Sequence, residues 1–183
     1  MIYTIFAGVN GAGKSSLYRC MNTKGLGVRI NTDEIVRTLG SWNDIKLQFE
    51  AGKIAINLLR KAFDEKKSMN QETTLTGYSI IKNIIKAKDL GYRVCLHYVY
   101  VGSVNIAIKR VKERVLKGGH DIPIEDIKRR FVKSIDALIE INHLCDELRV
   151  YDNSNTLTEI FTRVDSKIIL SNKNHGLVLD LMQ

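Results

Sequence analysis

The sequence is poor in several residue types whose abundance marks particular classes of protein. Its 183 residues include one proline, one tryptophan and three cysteines. Cys20, Cys95 and Cys145 are odd in number and lack the close spacing of metal ligands, which indicates reduced, buried thiols in a cytosolic protein. No apolar run reaches the roughly 18 residues that a transmembrane helix needs. The opening segment, MIYTIFAGVNG, lacks a basic stretch and is expected to form a core strand rather than a signal peptide.

Linkers, repeats and low-complexity segments are also missing, which predicts a single domain over residues 1–183. A hydrophobic content of 44% with 26% charged residues is typical of a globular domain. The net charge of +8 is compatible with nucleic acid, but the basic residues are scattered and not interleaved with aromatic side chains. We therefore favour a site that gathers phosphates, and we expect neither a nucleic-acid nor a membrane partner.

Apolar strand-like runs alternate with segments of helical period, which is typical of an α/β fold. Five strands are predicted, over residues 2–7, 27–30, 68–72, 93–101 and 147–151. They predict a doubly wound, mostly parallel five-stranded sheet with helices on both faces. We expect a helical lid over about residues 103–130, and a C-terminal extension over about residues 155–183 with a small β-hairpin. Residues 43–63 are predicted to form a long helix from the spacing of Ile45, Phe49, Ile56, Leu59 and Phe63.

Residues 8–15 read GVNGAGKS and match the complete pattern G-x-x-x-x-G-K-[ST]. The glycines allow backbone amides to point inward around an anion, Lys14 adds a positive charge for the outer phosphates, and the Ser15 hydroxyl can bind Mg²⁺. A strand enters this loop and a helix leaves it, so the helix N-terminus also faces the phosphates. The pattern predicts a P-loop NTPase fold with a nucleotide site formed by Gly8, Asn10, Gly11, Ala12, Gly13, Lys14, Ser15 and Ser16.

Two acidic residues follow short predicted strands. If the third strand lies beside the first, Glu72 faces the Mg²⁺ ion and its water shell; otherwise it is a solvated glutamate at a strand end. Asp33 follows the second strand, where a carboxylate in small P-loop kinases can orient an acceptor hydroxyl and take its proton. The alternative for Asp33 is an acid in the first turn of the next helix, which NTDEIV also suits.

Arg110 and Arg114 lie one helical turn apart, just before the pair Gly118 and Gly119. Two arginines on a lid helix can close over a triphosphate and stabilise the charge of the group in transfer; the alternative is a solvated helix flank. His120 follows in the loop GGHDIP. We interpret it as a loop or phosphate-contact residue, because no second histidine or cysteine is spaced to complete a metal site.

The segments GVNGAGKS, RINTDEIVR, NQETTLTG and KRVKERV with GGHDIP resemble, in this order, the zeta toxin family of P-loop kinases over roughly residues 1–153. The resemblance implies the doubly wound fold of small kinases, ATP and Mg²⁺ as cofactors, UDP-N-acetylglucosamine as acceptor, and restraint by a small antitoxin. By position it implies phosphate and metal binding for Lys14 and Ser15, the role of catalytic base for Asp33, and metal and substrate contacts for Glu72 and Thr74.

The resemblance also implies that Arg110 is the first lid arginine. The sequence departs from the family at three places. His120 stands where an arginine is expected before the second lid helix, the His-Pro pair that often follows the aspartate is missing, and ETTLTG lacks the usual nearby arginine.

Together these observations predict a cytoplasmic kinase that uses ATP and Mg²⁺ to phosphorylate a hydroxyl of a small molecule, with UDP-N-acetylglucosamine or a related sugar nucleotide as the first candidate. Alternatives are a kinase of another metabolite, a regulatory nucleotide-binding module with little turnover, and an RNA-end kinase, which rests on the basic charge alone. The residues expected to act are, for catalysis, Lys14, Asp33, Arg110 and Arg114; for the acceptor, Asp33, Glu72, Thr74 and His120; and for the metal, Ser15 and Glu72.

The phosphate loop generates a first prediction. Lys14→Ala should abolish ATP binding or turnover while the fold survives, because it removes the positive charge that meets the outer phosphates. Calorimetric titration with ATP checks this, with circular dichroism as the control for folding. Wild-type affinity in the folded variant would refute the assignment of the loop.

Overall fold

The computed structural model describes residues 1–182 as seven strands, seven α-helices and a 3₁₀ turn over Asn142–Leu144. The strands are β1 (Ile2–Ala7), β2 (Val28–Ile30), β3 (Met69–Thr73), β4 (Arg93–Tyr100), β5 (Glu147–Asp152), β6 (Thr158–Val164) and β7 (Lys167–Ser171). The helices are α1 (Lys14–Cys20), α2 (Thr32–Leu39), α3 (Ile45–Asp64), α4 (Tyr78–Asp89), α5 (Val104–Leu116), α6 (Ile124–Ile141) and α7 (Gly176–Leu181).

The strands form one sheet in the order β2-β3-β1-β4-β5-β6-β7. The first five strands run parallel, as predicted, and β3 lies beside β1. The C-terminal hairpin is not separate from this sheet, because β6 pairs antiparallel with β5 and β7 pairs with β6. The predicted count of five strands is thus corrected to seven, since the hairpin satisfies the backbone groups that β5 would otherwise leave at an open edge.

Side chains of β1 alternate between two cores on opposite faces of the sheet. Tyr3 and Ile5 pack with residues of α3 and α4 on one face, while Phe6 packs with residues of α1 and α5 on the other. All three side chains are fully buried. Helices therefore cover both faces, which confirms the doubly wound α/β arrangement.

Helix α3 forms as its apolar spacing predicts, but it buries a different set of residues. Leu59 and Phe63 are buried, whereas Ile45, Phe49 and Ile56 are exposed, with Phe49 at 71%. The buried residues of the first half of α3 are instead the small side chains Ala51 and Ala55. The spacing of the apolar residues predicted the helix correctly, but fewer of these residues are buried than that spacing indicates.

The three thiols are not all buried, although the sequence analysis expected them to be. Cys95 and Cys145 are buried, but Cys20 is exposed at the end of α1.

None of the helices described within residues 1–182 is long and apolar enough to cross a membrane.

The core of the second half of the chain generates a stability prediction. Leu138 on α6 is fully buried, whereas Val132 on the same helix is 58% exposed. Leu138→Ala should lower the free energy of unfolding by about 2–5 kcal/mol through the lost burial and the cavity left behind. Val132→Ala is the matched control and should change it by less than about 0.5 kcal/mol. Urea unfolding followed by circular dichroism measures both, and equal effects would contradict the placement of α6.

Candidate active site

The phosphate loop connects β1 to α1 at the carboxyl edge of the parallel strands, where α/β folds collect their ligands. Two of its glycines are required by geometry. Gly8 has a φ of 136°, and a Cβ there would lie 2.3 Å from the carbonyl oxygen of Val99. Gly13 has a φ of 110°, and a Cβ there would lie 2.4 Å from the side-chain nitrogen of Asn153. The loop is therefore a close-packed backbone cradle that a larger residue would deform.

Asn153, after β5, was not found from the sequence. Its side-chain amide donates a hydrogen bond of 2.7 Å to the carbonyl oxygen of Ala12, and it lines the cavity beside the phosphate loop. A lone asparagine after a strand gives no pattern that sequence reasoning could use. Its role here is to hold the loop from the neighbouring strand end.

Lys14 is the buried cation of the loop. Its side chain is 8% exposed, and Nζ donates a hydrogen bond of 3.1 Å to the carbonyl oxygen of Val9. Burial lowers the pKa of Lys14, against the opposing effect of the Glu72 and Asp33 carboxylates. An anion bound in the loop would relieve that desolvation, so the site favours negatively charged groups.

Glu72 joins the phosphate loop to β2 and β3. One of its carboxylate oxygens accepts a hydrogen bond of 2.8 Å from the Ser15 hydroxyl. The other accepts hydrogen bonds from Arg29, at 2.9 Å, and from Asn31, at 3.0 Å. The register explains this reach, since Glu72 on β3 lies opposite Phe6 on β1. Arg29 is a missed residue, because a basic side chain within a three-residue strand carries no signal by itself.

The oxygens of Ser15 and Glu72 suit a hard divalent cation. Mg²⁺ prefers such ligands and usually keeps several waters or substrate phosphates in its shell. Within residues 1–182 no group of three or more histidine, cysteine or acidic residues could hold a metal. The residues present therefore fit an ion that is held jointly with phosphates, and they do not form a closed protein cage.

Asp33 lies in the first turn of α2 without capping it. The cap is Asn31, whose side-chain oxygen accepts hydrogen bonds from the backbone N–H groups of Asp33, at 2.9 Å, and Glu34, at 3.4 Å. The Asp33 carboxylate instead lines a cavity that it shares with Lys14. Burial raises the pKa of Asp33, and the charge of Lys14 opposes that shift. A carboxylate with a raised pKa that faces an open cavity is suited to accept a proton.

Two arginines of α5, Arg110 and Arg114, line the cavity beside the phosphate loop. Arg110 on α5 donates to the carbonyl oxygen of Ser154 at 3.3 Å, and Arg114 donates to that of His120 at 2.9 Å. Each also has a buried guanidinium nitrogen without a partner among residues 1–182. Those nitrogens are free to receive an anion. Both arginines line a cavity of about 400 Å³, the nucleotide cavity, together with Asn10, Gly11, Gly13, Lys14, Ser15, Ser16, Arg19, Arg37, Glu72 and Asn153.

Arg37 is a further cation that the sequence analysis missed. It lies one helical turn after Asp33 on α2 and lines the same cavity as Arg110 and Arg114. The spacing of four residues in DEIVR was the available signal, because it places both side chains on one helix face. Together with Arg19, Arg110 and Arg114, Arg37 surrounds the mouth of this cavity with positive charge.

His120 lies between the lid loop and the start of α2. It is buried, its ring is 4.0 Å from that of Trp42 between centroids, and Nε2 is 3.5 Å from an Asp33 carboxylate oxygen. Burial and the charges of Arg114 and Arg37 lower the pKa of His120 to about 4, so the ring is neutral near pH 7. The contact with Asp33 is thus a packing contact and not an ion pair.

A second cavity, of about 350 Å³, opens on the other side of Lys14, and we call it the acceptor cavity. Glu72 and Asn10 also line both cavities. Thr74 reaches the acceptor cavity, with its hydroxyl 2.9 Å from that of Thr76. Half of the remaining lining residues carry an amide or a hydroxyl, and the others are one acid, one arginine, two aromatic rings and one aliphatic side chain: Asn31, Thr32, Asp33, Trp42, Gln48, Gln71, Thr73, His120, Ile122 and Arg130.

The predicted site residues therefore meet at one edge of the sheet. Gly8 and Ala12 of the loop are both buried. Asn10 lies under the second lid helix, where Arg130 of α6 donates to its side-chain oxygen at 3.0 Å. The arrangement brings a phosphate cradle, two lid arginines and a carboxylate with a raised pKa around two connected cavities.

This fold and this phosphate loop define a P-loop kinase. The chain belongs to the zeta toxin family, whose sequence profile matches residues 2–168. An uncharacterized protein of Haemophilus influenzae is 35% identical over 126 residues, which cover 69% of this chain and 89% of that protein.

Solved structures share the fold at low sequence identity. A chain of the AvrRxo1-ORF1:-ORF2 complex with ATP matches with a TM-score of 0.74 at 16% identity, over 94% of this chain and 61% of that chain. A chain of the PezAT toxin-antitoxin system of Streptococcus pneumoniae matches with a TM-score of 0.59 at 18% identity, over 99% of this chain and 76% of that chain. This chain thus spans about three fifths of the AvrRxo1 chain that it resembles.

The Trp42–His120 stack generates a prediction that needs no substrate. Trp42 is the single tryptophan, and a protonated imidazole stacked on an indole quenches its fluorescence. The emission should therefore fall with a midpoint near pH 4, where His120 titrates, and not near its ordinary value of about 6.5.

The lowered pKa of His120 also determines how its contribution to folding stability changes with pH. Because the pKa of His120 is lower in the folded state, the unfolded chain takes up this proton first, and the contribution of His120 to stability falls as the pH drops from about 6.5 towards 4.

His120→Asn should remove the fluorescence transition, with far-UV circular dichroism as the control for folding. A midpoint near pH 6.5 in the wild-type protein would show that His120 is not buried against Trp42.

Proposed function

We propose that the protein is an ATP-dependent kinase that phosphorylates a hydroxyl group of a small molecule. The observation that carries this proposal is the position of Lys14 and Asp33. Both side chains line the acceptor cavity, and Lys14 also lines the nucleotide cavity on the other side. A phosphoryl group held at Lys14 would therefore have a hydroxyl acceptor on one side, with a proton-accepting carboxylate beside it.

The transfer follows from these positions. The acceptor oxygen forms a bond to the γ-phosphorus while the bond to the bridging oxygen breaks, and ADP leaves with that electron pair. Asp33 orients the acceptor hydroxyl and takes its proton. Lys14, Arg110 and Arg114 surround the phosphates and stabilise the negative charge that spreads over the group in transfer.

Ser15 and Glu72 would hold Mg²⁺, which neutralises the β- and γ-phosphate oxygens when bound. Glu72 keeps the Ser15 hydroxyl beside the phosphate loop through its hydrogen bond of 2.8 Å. Arg29 and Asn31 fix the other carboxylate oxygen, so Glu72 cannot turn away from the loop without losing two hydrogen bonds.

UDP-N-acetylglucosamine or a related sugar nucleotide is the acceptor to test first. Support comes from membership of the zeta toxin family and from the amides and hydroxyls of the acceptor cavity, which suit a sugar. Thr74 and His120 would contact the acceptor there. Two of the similar structures are complexes described as AvrRxo1-ORF1:-ORF2 and as a toxin-antitoxin system, which supports a small antitoxin as a protein partner.

The proposal includes a lid and a cellular location. Residues 103–130, with α5 and the start of α6, would act as the lid, because Arg110, Arg114 and Arg130 reach the phosphate loop from there. The chain would work in the cytoplasm, where its three free cysteines stay reduced.

Asp33→Asn tests the kinase proposal directly. The variant should keep ATP affinity and melting temperature and lose about two to four decades in acceptor phosphorylation, the usual contribution of a positioned base. Measurements use γ-labelled ATP, with UDP-N-acetylglucosamine as the first acceptor and a metabolite panel after it. Because Asn31 caps α2, asparagine at position 33 leaves the cap intact.

Asp44→Asn is the matched control. Asp44 caps α3 through a hydrogen bond of 2.8 Å to the backbone N–H of Lys46 and lies outside both cavities. Asparagine caps a helix about as well as aspartate, so phosphorylation should stay near wild type. Unchanged transfer in Asp33→Asn would overturn the assignment of the base and favour a nucleotide-binding module with little turnover.

A further inference from the structure

We propose that Ser154, held by Asp152, is a positioning residue for Arg110 of α5 and thereby sets how tightly the nucleotide cavity binds phosphates. Asp152 is the last residue of β5, and Asn153 and Ser154 follow it; we call these three residues the β5 brace. The inference rests on the proposed ATP-dependent function and deepens it, because it identifies what holds an arginine of the nucleotide cavity in place.

Ser154 contacts α5 at two points. Its hydroxyl oxygen accepts a hydrogen bond of 2.8 Å from the backbone N–H of Gly102, which directly precedes Ser103, the N-cap of α5. Its carbonyl oxygen accepts a hydrogen bond of 3.3 Å from the guanidinium group of Arg110. Ser154 therefore fixes both the start of α5 and a side chain that this helix carries into the nucleotide cavity.

Asp152 fixes Ser154 in turn. One oxygen of the Asp152 carboxylate accepts hydrogen bonds from the backbone N–H of Ser154, at 2.8 Å, and from the Ser154 hydroxyl. The Ser154 hydroxyl thus donates to Asp152 while it accepts from Gly102, which uses a hydroxyl in both of its capacities. Removal of this one group breaks the link between β5 and the start of α5.

The β5 brace also holds the phosphate loop, through Asn153. The backbone N–H of Asn153 donates to the carbonyl oxygen of Tyr100 at 2.9 Å, and its side-chain amide donates to that of Ala12 at 2.7 Å. Consecutive residues of one short segment therefore contact the phosphate loop and α5. This segment, and not α5 alone, sets the position of Arg110 relative to the loop.

The support that Arg110 receives leaves its charge available. Its hydrogen bond goes to a neutral carbonyl group, and its other terminal nitrogen is buried without a partner among residues 1–182. A guanidinium group that is held in place before the anion arrives loses less conformational freedom on binding. Loss of the support should therefore weaken phosphate binding even though Arg110 itself remains.

Arg114 offers an internal comparison, because it lines the same cavity from a different support. It donates a hydrogen bond of 2.9 Å to the carbonyl oxygen of His120, in the loop that follows α5. The β5 brace takes no part in this contact. Loss of the Ser154 hydroxyl should therefore reduce the contribution of Arg110 and leave that of Arg114 unchanged.

A double-mutant cycle on ATP affinity tests the proposal. Ser154→Ala is combined with Arg110→Met and, separately, with Arg114→Met, and calorimetry measures the Kd of ATP with Mg²⁺ for each full-length variant. Ser154→Ala alone should weaken ATP binding about three- to tenfold, as expected for lost hydrogen bonds. The same substitution should have no effect in the Arg110→Met background, and its full effect should remain in the Arg114→Met background.

Three further variants complete the experiment. Ser154→Thr keeps the hydroxyl and should keep wild-type affinity. Asp152→Ala removes the acceptor that holds Ser154, and it should reproduce the pattern of Ser154→Ala by an independent route. Ser68→Ala is the matched control, because the Ser68 hydroxyl also accepts from a backbone N–H, that of Ile2 at 3.0 Å, but lies outside the nucleotide cavity. Melting temperatures confirm that each variant is folded.

The outcomes separate the positioning role from the proposed function. An equal loss of affinity in the Arg110→Met background, no loss in the wild-type background, or a loss that disappears in both arginine backgrounds overturns the positioning role while nucleotide binding stands. If the folded wild-type protein has no measurable affinity for ATP, the proposed kinase function fails, and the positioning role fails with it.

Discussion

The hydrogen bonds of the Glu72 carboxylate are the interaction on which the candidate site depends. The Glu72 side chain is 9% exposed, and a charge so far from water is stable only when its oxygens are satisfied. Ser15 satisfies one oxygen from the phosphate loop, while Arg29 and Asn31 satisfy the other from β2 and its end. The carboxylate therefore ties three chain segments together and requires β3 to lie between β2 and β1, which is the observed order.

This order places two cavities of different character at the same sheet edge. Arginines from α2 and α5 line the nucleotide cavity, whereas amides, hydroxyls and one indole line most of the acceptor cavity. Lys14 lies between them as the buried cation common to both. The first cavity is therefore the more strongly positive of the two, and Lys14 lies where they meet.

The lid and the α2–α3 segment meet at a separate contact. Arg114 holds the backbone of His120, and the His120 ring packs between Trp42 and Asp33. Because the His120 ring is neutral, it packs against the Asp33 carboxylate without bringing a positive charge to it. The sequence resemblance implied an arginine at position 120, and that residue would bring a permanent positive charge to the same place.

Residue patterns alone predicted the elements whose signals are local. β1 was predicted to the residue, and a helix was predicted directly after the phosphate loop, since a complete motif lies between an apolar run and a helical segment. The placement of β3 beside β1 was stated as the condition for Glu72 to face the Mg²⁺ ion and its water shell, and the structure has that placement. Predictions were less accurate where burial depends on distant partners: three of the five apolar residues that predicted α3 are exposed, the hairpin joins the sheet, and α7 was not anticipated.

The sequence by itself determined that this chain forms an α/β phosphate-binding fold with acids after two short strands, because glycine conformations, helix starts and strand runs are encoded within a few residues of one another. Only the tertiary structure decided which further side chains share the site. Arg29, Arg37, Gln71 and Asn153 come from separate elements, and each has an ordinary local setting. Their convergence depends on strand order, register and helix packing, which are set by contacts between residues far apart in the chain.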